Sequence, residues 1–251
     1  MRFKGKRVFV TGGARGIGAG IAKAFVEEGA TVAINARTDA SIATRCEADG
    51  IDYLRVPGEI GPREACFDVV NRAVDALGGL DVLVANAGIF NEVLFEDVTQ
   101  EEFDANITVN LAGVFFCAQA AMPALKESQG NIVAIASDAS IISYSGAPAY
   151  CAAKGGVTSL VRSLAVGYAA HPVRVNSVCP GNVETEMLLQ SAAASGDAEG
   201  YLRQARGRAP ARRMGVPREV AAAVLYLASD DAGYTTGVSL PVDGGGIAGF
   251  D

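Results

Sequence analysis

Tyr150 and Lys154 are the two residues whose types and spacing most clearly suggest acid-base chemistry. They lie four positions apart, with only Cys, Ala and Ala between them, and on a helix this spacing puts both side chains on one face, about 5–6 Å apart at Cβ. A phenol titrates near roughly 10 in model peptides, so it acts as a base near neutral pH only when positive charge stabilises the phenolate. Lys154 supplies such charge. Tyr150 is therefore predicted to protonate a carbonyl oxygen or to take the proton of an alcohol.

Two further polar residues strengthen this interpretation, because a Tyr and a Lys at this spacing are common on helices by chance. Ser137 follows a predicted strand at 131–136, thirteen residues before Tyr150, and its hydroxyl is suited to hold the substrate oxygen at the carboxyl edge of a sheet. Asn110 is suited to bind a water or to bridge to Lys154. The alternatives are structural: Ser137 caps a strand end, and Asn110 braces a bend in a helix.

A glycine-rich turn follows the first predicted strand and opens a helix. Its residues are Gly12, Gly16, Ile17 and Gly18, in the spacing G-x-x-x-G-x-G rather than G-x-G-x-x-G. Glycines at such a turn let the backbone approach a pyrophosphate, and the helix N-terminus offers free N–H groups and a partial positive charge. Gly18 also permits close helix–strand contact. The turn is predicted to bind a dinucleotide; the alternative is a turn that only reverses the chain.

The end of the second predicted strand bears on which dinucleotide binds. NAD sites usually carry an acidic residue there, which accepts hydrogen bonds from the ribose hydroxyls. This chain has Ala36 at that place, followed by Arg37, and a second arginine, Arg15, lies in the glycine turn. Two guanidinium groups can clamp a 2′-phosphate, so NADP(H) is favoured over NAD(H). The alternative is that both arginines are solvated and NAD binds.

The arrangement of apolar segments predicts the fold. Runs rich in β-branched residues alternate with segments of helical periodicity, and they are mostly hydrophobic throughout, as in strands that are covered on both faces. A βαβα order of this kind indicates an α/β fold with a doubly wound parallel sheet. No linker divides the chain, so residues 1–251 are predicted to form one domain, with a substrate-side lid at about 186–215. The predicted strands are 7–11, 31–36, 53–56, 81–85, 131–136, 174–179 and 239–242.

Composition excludes several other classes of protein. The 251 residues carry a formal net charge of -7, which argues against nucleic acid or an anionic membrane as a partner. Five scattered cysteines without a C-x-x-C pair are typical of reduced, cytoplasmic thiols, and neither a metal site nor a signal peptide or spanning helix is predicted. His171 is the only histidine, and no G-x-S-x-G motif accompanies it, which argues against a Ser-His-Asp hydrolase.

Taken together, these motifs resemble the short-chain dehydrogenase/reductase family over essentially the whole chain. Thr11 and the glycines after it look like the family's cofactor turn, and Asn110, Ser137, Tyr150 and Lys154 look like its catalytic four. The resemblance implies a three-layer Rossmann fold with a seven-stranded parallel sheet, contact of Lys154 with the nicotinamide ribose, and a homotetramer. It assigns further cofactor contacts to Glu59, Ile60, Asn86, Ala87, Gly88, Pro180, Gly181, Val183 and Thr185.

Two departures from the family pattern stand in these motifs. Glu59 occupies a position where an Asp commonly bonds near the adenine, and Ala85 replaces the first Asn of the usual N-N-A-G motif. The longer side chain of Glu59 puts the adenine contact in doubt. At Ala85 the hydrogen bonds of an amide side chain are missing.

The predicted function is that of an NAD(P)-dependent oxidoreductase. It would transfer hydride between the cofactor and a secondary alcohol/ketone pair or a sugar-type substrate. Two alternatives remain open: a reductase of 3-oxoacyl groups carried on acyl carrier protein or coenzyme A, and a nucleotide-binding sensor without catalysis. An arginine-rich stretch either recognises an anionic substrate or, as the better-supported interpretation, forms a solvated helix face. Its members are Arg203, Arg206, Arg208, Arg212 and Arg213.

Overall fold

A single parallel sheet of seven strands runs through the molecule. The computed structural model describes residues 1–249, so the last two residues of the predicted domain lie outside the described part. The strand order is β3-β2-β1-β4-β5-β6-β7, with every neighbouring pair parallel. The strands are β1 Arg7–Val10, β2 Thr31–Ala36, β3 Leu54–Pro57, β4 Val82–Ala85, β5 Asn131–Ile135, β6 Arg174–Pro180 and β7 Ser239–Val242. All seven predicted strands are confirmed, and no strand end differs from its predicted position by more than one residue.

Helices cover both faces of this sheet and complete the predicted three-layer α/β arrangement. One buried cluster joins the sheet to α3, α5 and α6, and the other joins it to α1, α2 and α9. The helices are α1 Gly16–Glu27, α2 Asp39–Asp49, α3 Arg63–Leu77, α4 Gln100–Ile107, α5 Gly113–Ser128, α6 Pro148–Tyr168, α7 Glu186–Ala194, α8 Ala198–Gly207 and α9 Pro217–Ala228.

The apolar character of the strands follows from this double cover. Along β1, Val8 and Val10 face one cluster and Phe9 faces the other. Successive side chains of a strand point to opposite faces, so both sets must be apolar when both faces are buried. The continuous apolar runs of the sequence, rather than alternating ones, are therefore the signal of the central strands.

The strand order reverses direction beside β1, and this reversal locates the functional crevice. The chain passes from β1 outward to β2 and β3, then returns to place β4 on the other side of β1. The connections after β1 and β4 consequently leave the sheet in opposite directions and leave a cleft at the carboxyl ends of these strands. Ligands of open α/β sheets bind at such a switch point.

Two short helices, α7 and α8, follow β6 in the segment that was predicted as a lid. They pack against each other, and Asn182, just after β6, donates a hydrogen bond of 3.0 Å to the carbonyl of Ala205 in α8. The segment is therefore folded over the carboxyl edge of the sheet, beside the crevice.

The helical stretch Gln100–Ser128, which contains α4 and α5, is long and apolar enough to cross a membrane by length and composition. In this fold it packs against α3 and the sheet. Val114, Cys117, Ala121 and Leu125 are all buried in one of the two core clusters. Its apolar composition is accounted for in part by this contact with the core.

Phe25 offers a direct test of the packing on the α1 face. Its side chain is fully buried, and its ring meets that of Phe3 edge to face, with centroids 4.8 Å apart. We expect Phe25→Ala to lower the free energy of unfolding by about 3–5 kcal/mol, through lost burial and the cavity left behind. Phe95→Ala, at a ring that is 79% exposed, is the matched control and should change it by less than about 0.5 kcal/mol. Chemical denaturation measures both, and equal effects would contradict this packing.

Candidate active site

The glycine-rich turn adopts a conformation that only glycine accepts easily. Gly12 and Gly16 have φ angles of +62° and +52°, in the left-handed region where side chains are strained. A Cβ on Gly12 would lie 3.0 Å from Cα of Ala87, and one on Gly18 would collide with the carbonyl oxygen of Gly12. The predicted close contact at Gly18 is thus made with the turn itself. These glycines bring backbone, rather than side chains, to the crevice.

Hydrogen bonds tie this turn to the end of β4. The Thr11 hydroxyl accepts bonds from the backbone N–H groups of Asn86 (2.9 Å) and Ala87 (3.0 Å). In return, the Asn86 side chain donates to the carbonyls of Thr11 and Gly12, at 2.9 and 3.1 Å. Asn86 and Ala87 therefore stabilise the turn. Thr11 stabilises it too, a role that the sequence analysis did not assign to it.

Asn35 is a further brace, and sequence reasoning missed it. Its side chain is buried within β2. Its amide nitrogen donates to the carbonyls of Val56 (3.0 Å) and Gly58 (2.9 Å), and its oxygen accepts from the Gly12 N–H at 3.3 Å. Asn35 thereby connects the glycine turn to the end of β3. The available signal was an amide residue inside an otherwise apolar strand, because a buried amide requires hydrogen-bonding partners.

The residues around the start of α1 fit a bound pyrophosphate. The first N–H groups of a helix have no partner within it, the Arg15 side chain at the N-cap makes no capping bond, and the first turn has no acidic residue. The loop after β6 closes one side, since a Cβ on Gly16 would lie 3.3 Å from Cγ2 of Thr185. A dinucleotide cofactor therefore has free backbone donors available here.

The β6 loop carries four of the predicted cofactor residues. Pro180 ends β6, and the Gly181 N–H donates to the carbonyl of Val242 in β7 at 3.1 Å. Val183 forms a bridge with Gly215. Thr185 caps α7, accepting from the Leu188 N–H at 3.4 Å. In the fold, Thr185 therefore lies beside the glycine turn.

The residues predicted to discriminate between nucleotides lie at the end of β2. Ala36 is the last residue of the strand, and Arg37 and Arg15 are exposed. Within residues 1–249, neither arginine forms an ion pair or a side-chain hydrogen bond. Both guanidinium groups are thus available to a ligand. Glu59 is exposed, whereas Ile60 packs against the core, so Glu59 reaches solvent and Ile60 supports the loop after β3.

Ser137, Tyr150 and Lys154 converge at the carboxyl end of β5. The Tyr150 hydroxyl is close enough to that of Ser137 for this contact to influence its pKa. Lys154 Nζ lies 5.7 Å from the centre of the Tyr150 ring and donates to the carbonyl of Ile135 at 2.8 Å. Phe90 packs edge to face on Tyr150, with centroids 5.0 Å apart. The three predicted residues therefore share one small volume.

Asn110 lies in a π-helical turn, Thr108–Ala112, between α4 and α5. Its side chain is fully buried; its oxygen accepts from the Ile89 N–H (3.0 Å) and its nitrogen donates to the Ile89 carbonyl (3.1 Å). A Cβ on Gly88 would be 2.9 Å from Asn110 Oδ1 and 3.7 Å from Lys154 Nζ, so both atoms face the same point. Asn110 thus braces an irregular helical turn, which was the structural alternative to a role beside Lys154. It also lies beside Lys154.

Burial dominates the ionisation of the tyrosine and the lysine. It raises the pKa of Tyr150 to about 12, although the Ser137 hydroxyl lowers it, and the nearby Asp138 carboxylate raises it further. Burial also lowers the pKa of Lys154 to about 8. At neutral pH the phenol is protonated and the ammonium is mostly charged. The expected lowering of the Tyr150 pKa therefore requires more positive charge than Lys154 alone provides.

A cavity of about 810 Å³ lies between the loop after β5, the α8 end of the predicted lid and the C-terminal turn. Its walls carry the polar side chains of Asp138, Tyr144, Arg208 and Asp243 among apolar ones such as Leu94 and Ile142. Arg208 stacks over the Tyr144 ring, with its guanidinium carbon 4.9 Å from the ring centre. A cavity of this kind can take a small, hydrogen-bonding ligand.

The other members of the arginine-rich stretch are all exposed, and two of them form ion pairs. Arg213 pairs with Glu219 at 2.7 Å, and Arg203 pairs weakly with Glu199 at 3.7 Å on an exposed face of α8. These two pairs agree with the interpretation as a salt-bridged, solvated surface. Arg208 and Arg213 both line the cavity, and Arg208 stacks there on Tyr144.

Comparison with known proteins gives matches along nearly the whole chain. A family model described as enoyl-(acyl carrier protein) reductase matches residues 12–246. L-fucose dehydrogenase of Mus musculus is 38% identical, over 99% of this chain and 91% of its own length. A 3-oxoacyl-(acyl-carrier-protein) reductase of Thermotoga maritima is 36% identical, over 98% of this chain and 99% of its own length.

A solved structure extends the match to three dimensions. It is that of a putative short-chain alcohol dehydrogenase from Sinorhizobium meliloti 1021, with a TM-score of 0.91 and 37% identity, covering 99% of this chain and 98% of that one. Agreement in sequence and in backbone thus extends over the glycine turn, the sheet and the helix that bears Tyr150 and Lys154. This chain belongs to the short-chain dehydrogenase/reductase family of NAD(P)-dependent oxidoreductases.

Proposed function

We propose that this protein is a dehydrogenase that oxidises a hydroxyl group of a small polyhydroxy or secondary alcohol, with Tyr150 as the general acid/base. The observation that carries the proposal is the convergence of Ser137, Tyr150 and buried Lys154 at the carboxyl end of β5, opposite the glycine turn. Proton transfer requires the acid and the oxygen that receives its proton to lie within hydrogen-bond distance of each other. The half-buried phenol beside an open crevice meets that requirement.

Each of the four polar residues has a distinct role in this proposal. In reduction, Tyr150 donates its proton to the carbonyl oxygen, and in oxidation it takes the alcohol proton. Ser137 orients that oxygen. Lys154 adds positive charge beside Tyr150 and binds the nicotinamide ribose, while Asn110 keeps the backbone near Lys154 in its irregular helical turn.

The remaining predicted residues hold the cofactor. The backbone of the glycine turn and the start of α1 bind the pyrophosphate, and Gly88 leaves room beside Asn110 and Lys154. When bound, the cofactor would supply the hydride-transfer chemistry and, in its oxidised form, positive charge near Tyr150. The β6 loop with Thr185 holds the nicotinamide end, and Ile60 lies at the adenine side.

The proposed substrate class rests on four polar side chains in the wall of the 810 Å³ cavity. Asp138, Tyr144, Arg208 and Asp243 offer hydrogen-bonding partners to a molecule with several hydroxyl groups, which suits a sugar. The similarity to L-fucose dehydrogenase supports this choice. The similarity to a 3-oxoacyl reductase supports the alternative of an acyl thioester substrate, and the apolar residues of the same wall, Leu94, Ile142 and Ile247, suit its acyl chain.

A sensor that binds nucleotide without turnover is the alternative from another class of function. Such a protein has no need to bury an ammonium group. Lys154 is 3% exposed, and its burial disfavours the charged form. We take this costly burial as support for a catalytic role.

NADP(H) is the proposed cofactor. Ala36 leaves no carboxylate to repel a 2′-phosphate, and the guanidinium groups of Arg37 and Arg15 are exposed nearby. We further propose that the 186–215 segment acts as a lid over a single domain and that the enzyme works in the cytoplasm on a small molecule, without nucleic acid or membrane.

A homotetramer is proposed for the assembly. The outer edge of β7 is unpaired within residues 1–249, because β7 ends the sheet. Tyr234, which precedes it, is fully exposed, and Tyr226 on α9 is 42% exposed. Val166 on α6 is 83% exposed. Exposed apolar groups on these elements are suited to contact between copies.

Replacing Tyr150 tests the catalytic assignment. We expect Tyr150→Phe to lower kcat by about 10²–10⁴-fold, because the phenol is the only proposed proton carrier. Cofactor affinity and Tm should stay close to wild type. Steady-state kinetics on a panel of aldoses, secondary alcohols and 3-oxoacyl thioesters measures the effect, with Tyr234→Phe as the matched control. Retention of more than a tenth of wild-type kcat by Tyr150→Phe would refute this role.

Replacing Arg37 tests the cofactor preference. A charge-assisted hydrogen bond contributes roughly 1.5–3 kcal/mol, so Arg37→Ala should weaken NADPH binding about 10–100-fold while leaving NADH binding nearly unchanged. Fluorescence titration gives both dissociation constants. Arg2→Ala removes a guanidinium that pairs with Glu28 and should alter neither. Tighter binding of NADH than of NADPH by the wild type would contradict the preference.

The assembly is tested by light scattering on a sizing column. The wild type should have about four times the mass of the 25.7 kDa chain. Charged substitutions at the exposed faces, Val166→Glu and Tyr226→Glu, should each yield smaller species, because an interface cannot bury an unpaired carboxylate without cost. A monomeric wild type at micromolar concentration would exclude the tetramer.

A further inference from the structure

Asp138 is a buried carboxylate to which the proposed proton transfer gives no role, although it lies in the wall of the substrate cavity. It follows Ser137 directly, in the short helical turn Asp138–Ser140, and it is only 7% exposed. Burying a carboxylate is unfavourable unless its oxygens receive hydrogen bonds. Oδ1 accepts from the Ser137 hydroxyl (2.9 Å) and from the Ala139 N–H (2.8 Å), and Oδ2 accepts from the Tyr144 hydroxyl. The carboxylate is thus held by three donors at the edge of the candidate site.

The hydrogen bonds of Ser137 show what this carboxylate does locally. A serine hydroxyl has one proton and two lone pairs. Here the proton is directed to Asp138, and one lone pair accepts the Ala139 N–H at 3.1 Å. The rotation of the hydroxyl is therefore determined by Asp138. The lone pair that remains is available to Tyr150 or to a substrate hydroxyl.

We propose that Asp138 is a positioning residue, which takes the Ser137 proton in a hydrogen bond and thereby leaves a Ser137 lone pair facing the oxygen on which Tyr150 acts. This role rests on the proposed function, since it presupposes that Ser137 and Tyr150 serve a bound alcohol or carbonyl compound. Tyr144 fixes the carboxylate from its other oxygen, and Arg208 stacks on Tyr144. A chain of contacts thereby links the wall of the 810 Å³ cavity to Ser137.

The arrangement favours an alcohol as the bound partner. While Tyr150 is protonated, an alcohol oxygen accepts from the phenol, and the alcohol proton goes to Ser137, which Asp138 leaves as an acceptor. A ketone has no such proton, and once Tyr150 is ionised the alcohol proton goes to Tyr150 instead. To serve a carbonyl oxygen, Ser137 must turn its proton away from Asp138. We therefore expect the carboxylate to improve the affinity for the alcohol relative to the ketone.

The charge of Asp138 also affects the acid-base residue. The titratable groups that face Asp138 are Tyr144, Tyr150, Cys179 and Asp243, with Arg208 beyond Tyr144. Burial, opposed by its three donors, raises the pKa of Asp138. Tyr150 is faced by Asp138, Cys151, Cys179 and Lys154. The negative charge of Asp138 raises the pKa of Tyr150. Without that charge the phenolate forms at lower pH, so the acid limb of alcohol oxidation should move to lower pH.

Two substitutions separate the effect of orienting Ser137 from the effect of the negative charge of Asp138. Asp138→Ala removes both, whereas Asp138→Asn keeps an oxygen that accepts from Ser137 and Ala139 but has no charge. Hydrogen bonds to a charged group are strong enough that we expect Asp138→Ala to lower kcat/KM about 10–100-fold. Asp138→Asn should recover most of that loss. In both variants the acid limb of the pH profile for alcohol oxidation should shift downward.

A double-mutant cycle with Ser137→Ala tests whether Asp138 acts through Ser137. If it does, adding Asp138→Ala to Ser137→Ala should cause less than a threefold further loss, since roughly additive effects are expected only of independent sites. NADPH titration and thermal melting establish that each variant is folded. A role confined to stability would lower Tm without changing the pH profile.

The possible results distinguish a failure of the Asp138 role from a failure of the proposed function. The role is overturned if Asp138→Ala keeps kcat/KM within twofold of wild type, if the losses in the cycle are fully additive, or if the pH profile is unchanged in both variants. A wild type that is active and dependent on Tyr150, combined with any of these results, overturns the Asp138 role alone. A wild type that binds NADPH but turns over no compound of the panel overturns the proposed function, and this role with it.

Discussion

The hydrogen bonds between the ends of β1 and β4 are the constraint on which the rest of the site depends. Thr11 and Asn86 exchange side-chain and backbone bonds across the strand-order reversal. These bonds fix the turn that follows Thr11, and that turn places Gly12 and the start of α1 at the mouth of the crevice. Because a parallel sheet opens only at such a reversal, the bonds determine where a dinucleotide can lie.

On the opposite wall of the crevice, burial determines how easily Lys154 and Tyr150 ionise. Lys154 donates its one observed hydrogen bond, among the described residues, to the carbonyl of Ile135, and it has little contact with solvent. The phenol of Tyr150 is likewise hard to ionise in the chain alone. In the proposed function, Tyr150 therefore acts as an acid at neutral pH and becomes a base only where positive charge near the phenol stabilises the phenolate. Proton transfer would thereby depend on bound, oxidised cofactor.

The sequence predicted the fold well because its strongest signals are physical requirements of a covered parallel sheet. Seven apolar runs became seven strands, and the glycines at 12 and 16 adopt the left-handed angles that their type permits. The braces were harder to foresee. Asn35 and Asp138 are polar residues whose partners are distant in sequence or depend on the course of a loop, as with Val56 and Tyr144. Spacing along the chain does not contain that information.

The central claim is that the crevice performs hydride transfer to or from a carbinol carbon. It is tested most directly with NADPH carrying deuterium at its transferable position, incubated with the ketones and aldehydes that correspond to the substrate panel. The account predicts one deuterium at the carbinol carbon of the product, found by mass spectrometry, and none with Tyr150→Phe over the same time. Tight binding of NADPH without deuterium transfer to any compound would contradict it.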